Sequence, residues 1–199
     1  MSAITATFPG TAPAAWKLPY RGNVAMACLI IAEAAIFTIF VIAYLFYVGK
    51  SLSGPTPAEV LETPIFFTIC LLSSSATIHF AAKSLERGKL LAFQASWLLT
   101  IVLGGLFLFG TGQEWHRLIY EHGLTISTNL FGTTYYSLVG LHAFHVTVGL
   151  IMLGLVAAVA FAGRVGVEQS ARVEVLAMYW HFVDAVWVVV FTVVYVFGR

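Results

Sequence analysis

Five long apolar stretches, separated by short polar segments, dominate the pattern of the chain. Each stretch can cross about 30 Å of hydrocarbon as a helix that rises about 1.5 Å per residue. The short connections make neighbouring helices antiparallel. The pattern therefore predicts an all-α membrane protein, a bundle of five transmembrane helices. The predicted spans are approximately residues 23–47, 64–82, 91–112, 135–162 and 175–197.

The composition strengthens this prediction and excludes other classes of protein. Hydrophobic residues make up 60% of the 199 residues and charged residues 10%, against roughly 45–50% and 25% in soluble domains. A net charge of +1 provides no basic surface for nucleic acid phosphates. The two cysteines, Cys28 and Cys70, lie in apolar stretches and form neither a disulfide framework nor a metal-binding pair.

The positive charges predict the orientation of the bundle. Seven Lys and Arg residues fall on the side of the N-terminus and three on the other side. Because positive residues stay on the cytoplasmic face, the N-terminus is expected to be cytoplasmic and the C-terminus periplasmic. Residues 1–22 are then an N-terminal cytoplasmic tail, and residues 23–199 form the transmembrane domain.

Five polar side chains in the predicted spans need partners other than lipid, because an ionisable group at mid-membrane costs about 2.5–3.5 kcal/mol. They are Glu33, His142, His145, His181 and Asp184. His142 and His145 are three residues apart, as are His181 and Asp184, so each pair lies on one helical face. Depth along the antiparallel helices places Glu33, His145 and Asp184 near the midplane. A buried polar network between three helices is therefore expected.

The chemistry of this network has more than one interpretation. Imidazoles and carboxylates in a bundle core can ligate a metal or haem, or they can bond to one another and fix helix packing. Glu33 is either a neutral structural group or part of a site that exchanges protons or faces lipid. His79, near a span end, and the tryptophans Trp180 and Trp187, which share a face, are candidate contacts with lipid or with another protein.

Three ordered motifs resemble a known family, subunit III of haem-copper terminal oxidases. YWHFVDAVW at residues 179–187 looks like that family's last-helix motif. FGTTYY at 131–136 and GLHAFHV at 140–146 resemble its penultimate helix, although Ala143 stands where a Gly is usual. AEAAIF at 32–37 matches the family's (S/A)-(E/D)-x-x-x-F motif. The chain is similar to the five-span bacterial form, which lacks the first two helices of seven-span members.

The resemblance implies a non-catalytic subunit of a bacterial inner-membrane oxidase that reduces oxygen and translocates protons. Such a subunit holds no haem, copper or other metal of its own. It packs directly on subunit I, belongs to a complex with subunit II and other respiratory subunits, and contacts phospholipid. It supports assembly, lipid and oxygen access, and sustained proton uptake. None of the five polar residues is a redox ligand in the family. In seven-span members of the family, the first two helices form one arm of a V-shaped cleft that holds lipid. In this chain the cleft must be completed by another subunit or be absent.

Other functions stay open from the sequence. The complex could be a quinol oxidase, or a nitric oxide reductase with this chain as an accessory subunit. A stand-alone haem protein that uses His142, His145 and His181 is a hypothesis of a different class.

Overall fold

The computed structural model describes residues 20–51 and 53–198, and these residues form helices and connecting turns without a β-strand. Five helical segments in this part of the chain are long and apolar enough to cross a membrane, as the sequence predicts. The expected cytoplasmic tail, residues 1–22, lies largely outside the described residues, but Arg21 and Gly22 already belong to the first helix. The helices are α1 (Arg21–Tyr47), the single turn α2 (Pro57–Val60), α3 (Ile65–Glu86), α4 (Leu90–Tyr120), α5 (Leu130–Phe161) and α6 (Ser170–Phe191).

The last helix lies at the centre of the bundle. It packs against α1, α3 and α5, while α4 packs against α3 and α5. α6 continues into a π-helical turn, Thr192–Phe197, and is preceded by a 3-10 turn, Val167–Gln169. α1 is peripheral and leaves most of its apolar residues exposed, including Ile31, Ile39 and Ile42. In a bilayer this surface must face lipid or another subunit.

Four helix ends lie four or more residues beyond the predicted span ends. α4 continues to Tyr120, eight residues past the predicted end, and α3 continues to Glu86, four residues past it. α5 begins at Leu130 and α6 at Ser170, each five residues before the predicted start. Hydropathy marks the part of a helix that fits the hydrocarbon, whereas helical hydrogen bonding can continue into the polar interface. Consequently the segment expected to be a loop, residues 113–134, contains the last turns of α4 and the first turn of α5.

Glycine sets the tight turns that follow α3 and α5. Gly88 and Gly163 have φ values of +70° and +71°, a left-handed conformation that costs glycine least. After α3, the Lys89 N–H donates to the Ser84 carbonyl and the Gly88 N–H to the Leu85 carbonyl, both at 2.9 Å. This Schellman geometry satisfies carbonyls that the helix end would leave unpaired. It closes an antiparallel α3–α4 hairpin, the most extensive helix pair in the bundle.

The loop after α1 is fixed by a capping box. The Thr56 N–H donates to Glu59 Oε2 at 3.0 Å, and this bond together with the Thr56 side chain lowers the pKa of Glu59 from 4.5. Asn129 joins the same loop to α5, because its side-chain N–H group donates to the Ser53 and Pro55 carbonyls while Oδ1 caps the Gly132 N–H.

The capping box is expected to weaken at acid pH. A lowered folded-state pKa means that the Glu59 contribution is present above the unfolded pKa and disappears as pH falls through the folded value. Amide hydrogen exchange at Thr56 should therefore accelerate on acidification below about pH 4, beyond the intrinsic pH effect. A Glu59→Gln variant should lose most of that additional dependence. The same additional dependence in both proteins would contradict this assignment.

Candidate functional site

Glu33 and His145 form a contact between α1 and α5. Glu33 Oε2 lies 3.1 Å from His145 Nε2, and the side chains retain 23% and 9% of their exposure. The Phe37 ring packs over the imidazole at 5.0 Å between centroids. The structure thus joins two of the three residues that the sequence places near the midplane, Glu33, His145 and Asp184.

The hydrogen bonds of His145 determine where one proton must lie. His145 Nδ1 is 2.8 Å from the Leu141 carbonyl, and a carbonyl can only accept, so Nδ1 carries hydrogen. Nε2 can then either donate to a carboxylate or accept from a carboxylic acid. One proton is therefore shared between Nε2 and Glu33 Oε2 in either form of the pair.

His142 lies in an aromatic enclosure instead of a polar network. It is fully buried, stacks on Trp187 at 4.9 Å, and meets the edge of Phe107 at 5.6 Å. Neither ring nitrogen has a hydrogen-bond partner within residues 20–51 and 53–198. The i, i+3 spacing with His145 therefore does not give a shared hydrogen-bond network.

His181 and Asp184 face α3 rather than the Glu33–His145 pair. His181 Nδ1 lies 2.6 Å from Ser75 Oγ, and the rings of His181 and His79 are 6.4 Å apart. Asp184 is 3% exposed, and both its oxygens lack a hydrogen bond to any described residue. The expected three-helix network is thus divided into separate groups.

The two tryptophans require a correction. Trp180 and Trp187 are candidate lipid or interface contacts by sequence, but each is 1% exposed. Their indole N–H groups donate to Ser74 Oγ at 2.8 Å and Thr68 Oγ1 at 3.2 Å on α3. The central position of α6 buries the face that they share. His79 is exposed and stays a candidate contact.

A second polar cluster, around Glu114, is not predicted by the sequence pattern. Tyr195 Oη donates to Glu114 at 3.0 and 2.8 Å from its two carboxylate oxygens, and lies 3.4 Å from Tyr135 Oη. Glu114 belongs to the part of α4 that was expected to be a loop. The signal that could have found it is the i, i+3 pair of Glu114 with Arg117, which favours continuation of the helix.

Replacing the Tyr195 hydroxyl is expected to destabilise the chain. Tyr195→Phe removes the donor to a half-buried carboxyl group, at a cost of about 1–2 kcal/mol in the free energy of unfolding. Tyr44→Phe is the matched control, because Tyr44 is fully buried and its hydroxyl has no partner in the described part of the chain. Thermal unfolding in mild detergent should show a lower midpoint for Tyr195→Phe alone. Equal midpoints for the two variants would contradict the assigned bond.

The His, Cys, Asp and Glu side chains of the described residues are not grouped as a metal centre. Among the described residues, no three His, Cys, Asp or Glu side chains come together in a group that could hold a metal ion. Both ring nitrogens of His145 are engaged in hydrogen bonds, and the His142 ring is enclosed by aromatic side chains.

The five apolar spans with internally arranged polar groups define a multi-pass helical membrane protein. The model of the family described as cytochrome c oxidase subunit III matches residues 17–199. Cytochrome c oxidase subunit 3 of Alkalihalophilus pseudofirmus is 33% identical over 168 residues, covering 83% of this chain and 82% of the relative. Cytochrome bo(3) ubiquinol oxidase subunit 3 of Pseudomonas aeruginosa is 33% identical over 170 residues, covering 83% and 80%. Cytochrome c oxidase subunit 3 of Corynebacterium diphtheriae is 35% identical over 140 residues, covering 69% and 68%.

The chain belongs to the cytochrome c oxidase subunit III family. The match includes nearly the whole chain, and the sequence resemblance is thereby confirmed. The chain is a subunit of a membrane-bound, multi-subunit haem-copper oxidase.

Proposed function

We propose that this chain is a non-catalytic subunit of a cytochrome c oxidase in a bacterial inner membrane. The observation that carries the proposal is the family match over residues 17–199. The chain packs directly on catalytic subunit I, in a complex with subunit II and other respiratory subunits. The haem and copper belong to the partners. This chain supports their assembly, the access of lipid and oxygen, and sustained proton uptake.

The polar groups of the bundle suit a supporting role. The Glu33–His145 contact joins α1 to α5, while Trp180 and Trp187 join α6 to α3. Interhelical hydrogen bonds of this kind hold membrane helices in register. We assign Glu33, His142, His145, His181 and Asp184 no redox role. The exposed apolar face of α1 offers area for another subunit or for lipid.

A groove between α1 and α6 suits phospholipid. Its volume is about 350 Å³. Its walls are almost entirely apolar, so a lipid acyl chain is the occupant that the bilayer supplies. The lining residues are Ala34, Phe37, Thr38, Val41, Val186, Val189 and Val190.

The N-terminus is proposed to be cytoplasmic and the C-terminus periplasmic, with residues 1–22 as a cytoplasmic tail. The distribution of seven positive residues against three supports this orientation. An activity reporter that works only in the periplasm, fused after Arg199, should be active. The same reporter fused at Gly88, in the α3–α4 turn, should be inactive, and the reverse pattern would contradict the orientation.

Removal of the chain tests the supporting role. The oxidase purified without this subunit should retain its haem spectrum and an initial rate of oxygen consumption per haem close to that of the complete complex. Its rate should then decline faster during continuous turnover, and addition of the subunit should slow the decline. If removal abolishes the first turnovers while the haem spectrum is unchanged, the chain takes part in catalysis and the proposal is wrong.

A quinol oxidase is the second candidate, because the Pseudomonas aeruginosa relative named as a ubiquinol oxidase subunit is equally identical, at 33%. Oxygen consumption by the purified complex with reduced cytochrome c or with a ubiquinol decides between the two. Rapid consumption with cytochrome c supports the main proposal. Consumption with ubiquinol alone supports the second.

A further inference from the structure

Polar residues follow the interface between α3 and α6 from one helix end into the membrane. On α3 they recur at spacings of three or four residues, and on α6 the three members are seven and three residues apart, so each set lies on one helical face. We call this group the polar seam. Its members are Ser75, His79, Lys83 and Glu86 of α3, and Glu174, His181 and Asp184 of α6.

The polar seam becomes more buried with depth. Glu86 and Glu174 are exposed at the helix ends, His181 is half-buried, and Asp184 is buried. Glu86 and Ser75 are eleven residues apart, or about 16 Å along an α-helix. That length is about half of the 30 Å hydrocarbon core.

The half of the polar seam nearest the helix ends, which we call the outer half, contains a cavity of about 130 Å³. It is lined by His79, Lys83, Glu86, Glu174 and His181, together with Ala82, Ala177 and Met178. A cavity of this size with several polar walls can hold water. One side of the His181 imidazole therefore borders a space that water can enter, and the other side, at Nδ1, meets Ser75.

The inner half ends at a carboxyl group without a hydrogen bond. Burial of an unpaired polar group is costly, and Asp184 has neither an ion pair nor a hydrogen bond among the described residues. Asp184 lies one helical turn beyond His181 on the same face of α6. His181 links this position to the cavity, because its imidazole lines the cavity and is bonded to Ser75 of the facing helix at 2.6 Å. Packing alone would be served as well by an apolar residue at this position.

We propose that the polar seam is a proton-exchange path connecting water at this end of the α3–α6 interface with the side chain of Asp184. A proton from water binds His181 Nε2, and the proton on Nδ1 passes to Ser75 Oγ. The hydroxyl proton of Ser75 passes in turn to the Asp184 carboxylate, so each intermediate group gains one proton and loses one. Return of His181 to its first tautomer resets the path. The chain thereby offers a titratable store of one proton inside the membrane.

The other ionisable groups around α6 have separate surroundings. Glu33 of α1 is paired with His145 of α5, and His142 of α5 is enclosed by aromatic rings. Lys83 pairs with Glu86 at 3.2 Å. His79 stands beside His181 and faces the same cavity. The π-helical turn after α6 carries Tyr195, which is bonded to Glu114.

Infrared spectroscopy of the detergent-purified complex containing this chain tests the path. A pH jump should produce a carboxyl signal that is absent from Asp184→Asn. In Ser75→Ala, which lacks the connecting hydroxyl, the rate at which the signal develops should be lower by at least about tenfold. Thr77→Val is the matched control, because Thr77 bonds Thr100 of α4 at 2.7 Å on another face of α3, and it should leave the rate unchanged. Absence of an Asp184 signal, or equal rates in Ser75→Ala and the unmodified chain, would overturn the proposal.

Cysteine labelling tests water access without relying on the carboxyl signal. In a chain with Cys28→Ser and Cys70→Ala, His79→Cys, at a position that lines the cavity, should react with a charged, water-soluble thiol reagent at least about tenfold faster than Phe80→Cys, since charged reagents avoid hydrocarbon. The two positions differ by about 1.5 Å in depth but lie on different faces. Equal reaction rates would show that water does not reach the seam, and would overturn the proposal. Both tests read this chain directly, so they do not depend on the electron donor of the complex.

Discussion

Trp180→Ala is expected to cause the largest loss of stability among single substitutions in this bundle. Trp180 lies between Gly104 of α4 and Gly149 of α5, and its indole N–H donates to Ser74 of α3. A Cβ atom at Gly104 or at Gly149 would lie 2.8 Å from the indole. Small residues let membrane helices approach closely, and here they make room for one ring that contacts three helices.

The expected loss in the free energy of unfolding is about 3 kcal/mol or more, as for other buried Trp→Ala changes that leave a cavity. Thermal or denaturant unfolding in mild detergent measures it. Phe109→Ala is the control, because Phe109 lies on α4 with 61% exposure and should change the stability little. If both variants unfold at the same midpoint, Trp180 does not hold the helices together.

A second pair of variants tests the same joint even if Trp180→Ala fails to assemble. Gly149→Ala should destabilise the chain by about 1–3 kcal/mol through overpacking. The same change in a Trp180→Phe background should cost less, because the smaller ring leaves room for the added methyl group. Identical costs in the two backgrounds would contradict the proposed contact.

Glu33→Leu is expected to have the second largest effect, about 2 kcal/mol. The substitution leaves His145 Nε2 without its partner at a site where the imidazole side chain is 9% exposed. Glu33→Gln should be tolerated, because Nδ1 already donates to the Leu141 carbonyl and a neutral Nε2 can accept from the Gln amide. The unfolding midpoint in mild detergent should therefore fall in the Leu variant and stay close to its original value in the Gln variant.

A double-mutant cycle with His145→Leu tests whether the two residues act on each other. The combined variant should lose less stability than the sum of the single changes, since each single change leaves one polar group unpaired. Additive losses, or a Gln variant as unstable as the Leu variant, would show that the 3.1 Å contact contributes nothing to stability.

The sequence predicted the architecture because the bilayer imposes a simple pattern. Uninterrupted apolar stretches found all five spans, and depth along the antiparallel helices placed Glu33 and His145 at a similar level. Span limits were less accurate at α3, α4, α5 and α6, where the helix continues past its apolar part. Glu114 was missed for the same reason, since polarity at a span end resembles a loop.

Contacts across the bundle could not be derived from periodicity. The spacing of His142 and His145 gives a shared helical face, but three residues along a helix differ in direction enough for one ring to meet Glu33 and the other Trp187. The same limit applies to Trp180 and Trp187, whose common face could be assigned to lipid or to the core. Only the central position of α6 places that face inside the protein.

Purification through a tag on this chain tests the central claim most directly. The complex extracted in mild detergent should contain the catalytic subunit of a haem-copper oxidase, identified by mass spectrometry, and should show a haem absorption spectrum and oxygen consumption. The chain separated from that complex should show no haem spectrum. A haem spectrum that stays with the isolated chain and disappears in His145→Ala, or a complex without an oxidase catalytic subunit, would contradict the account.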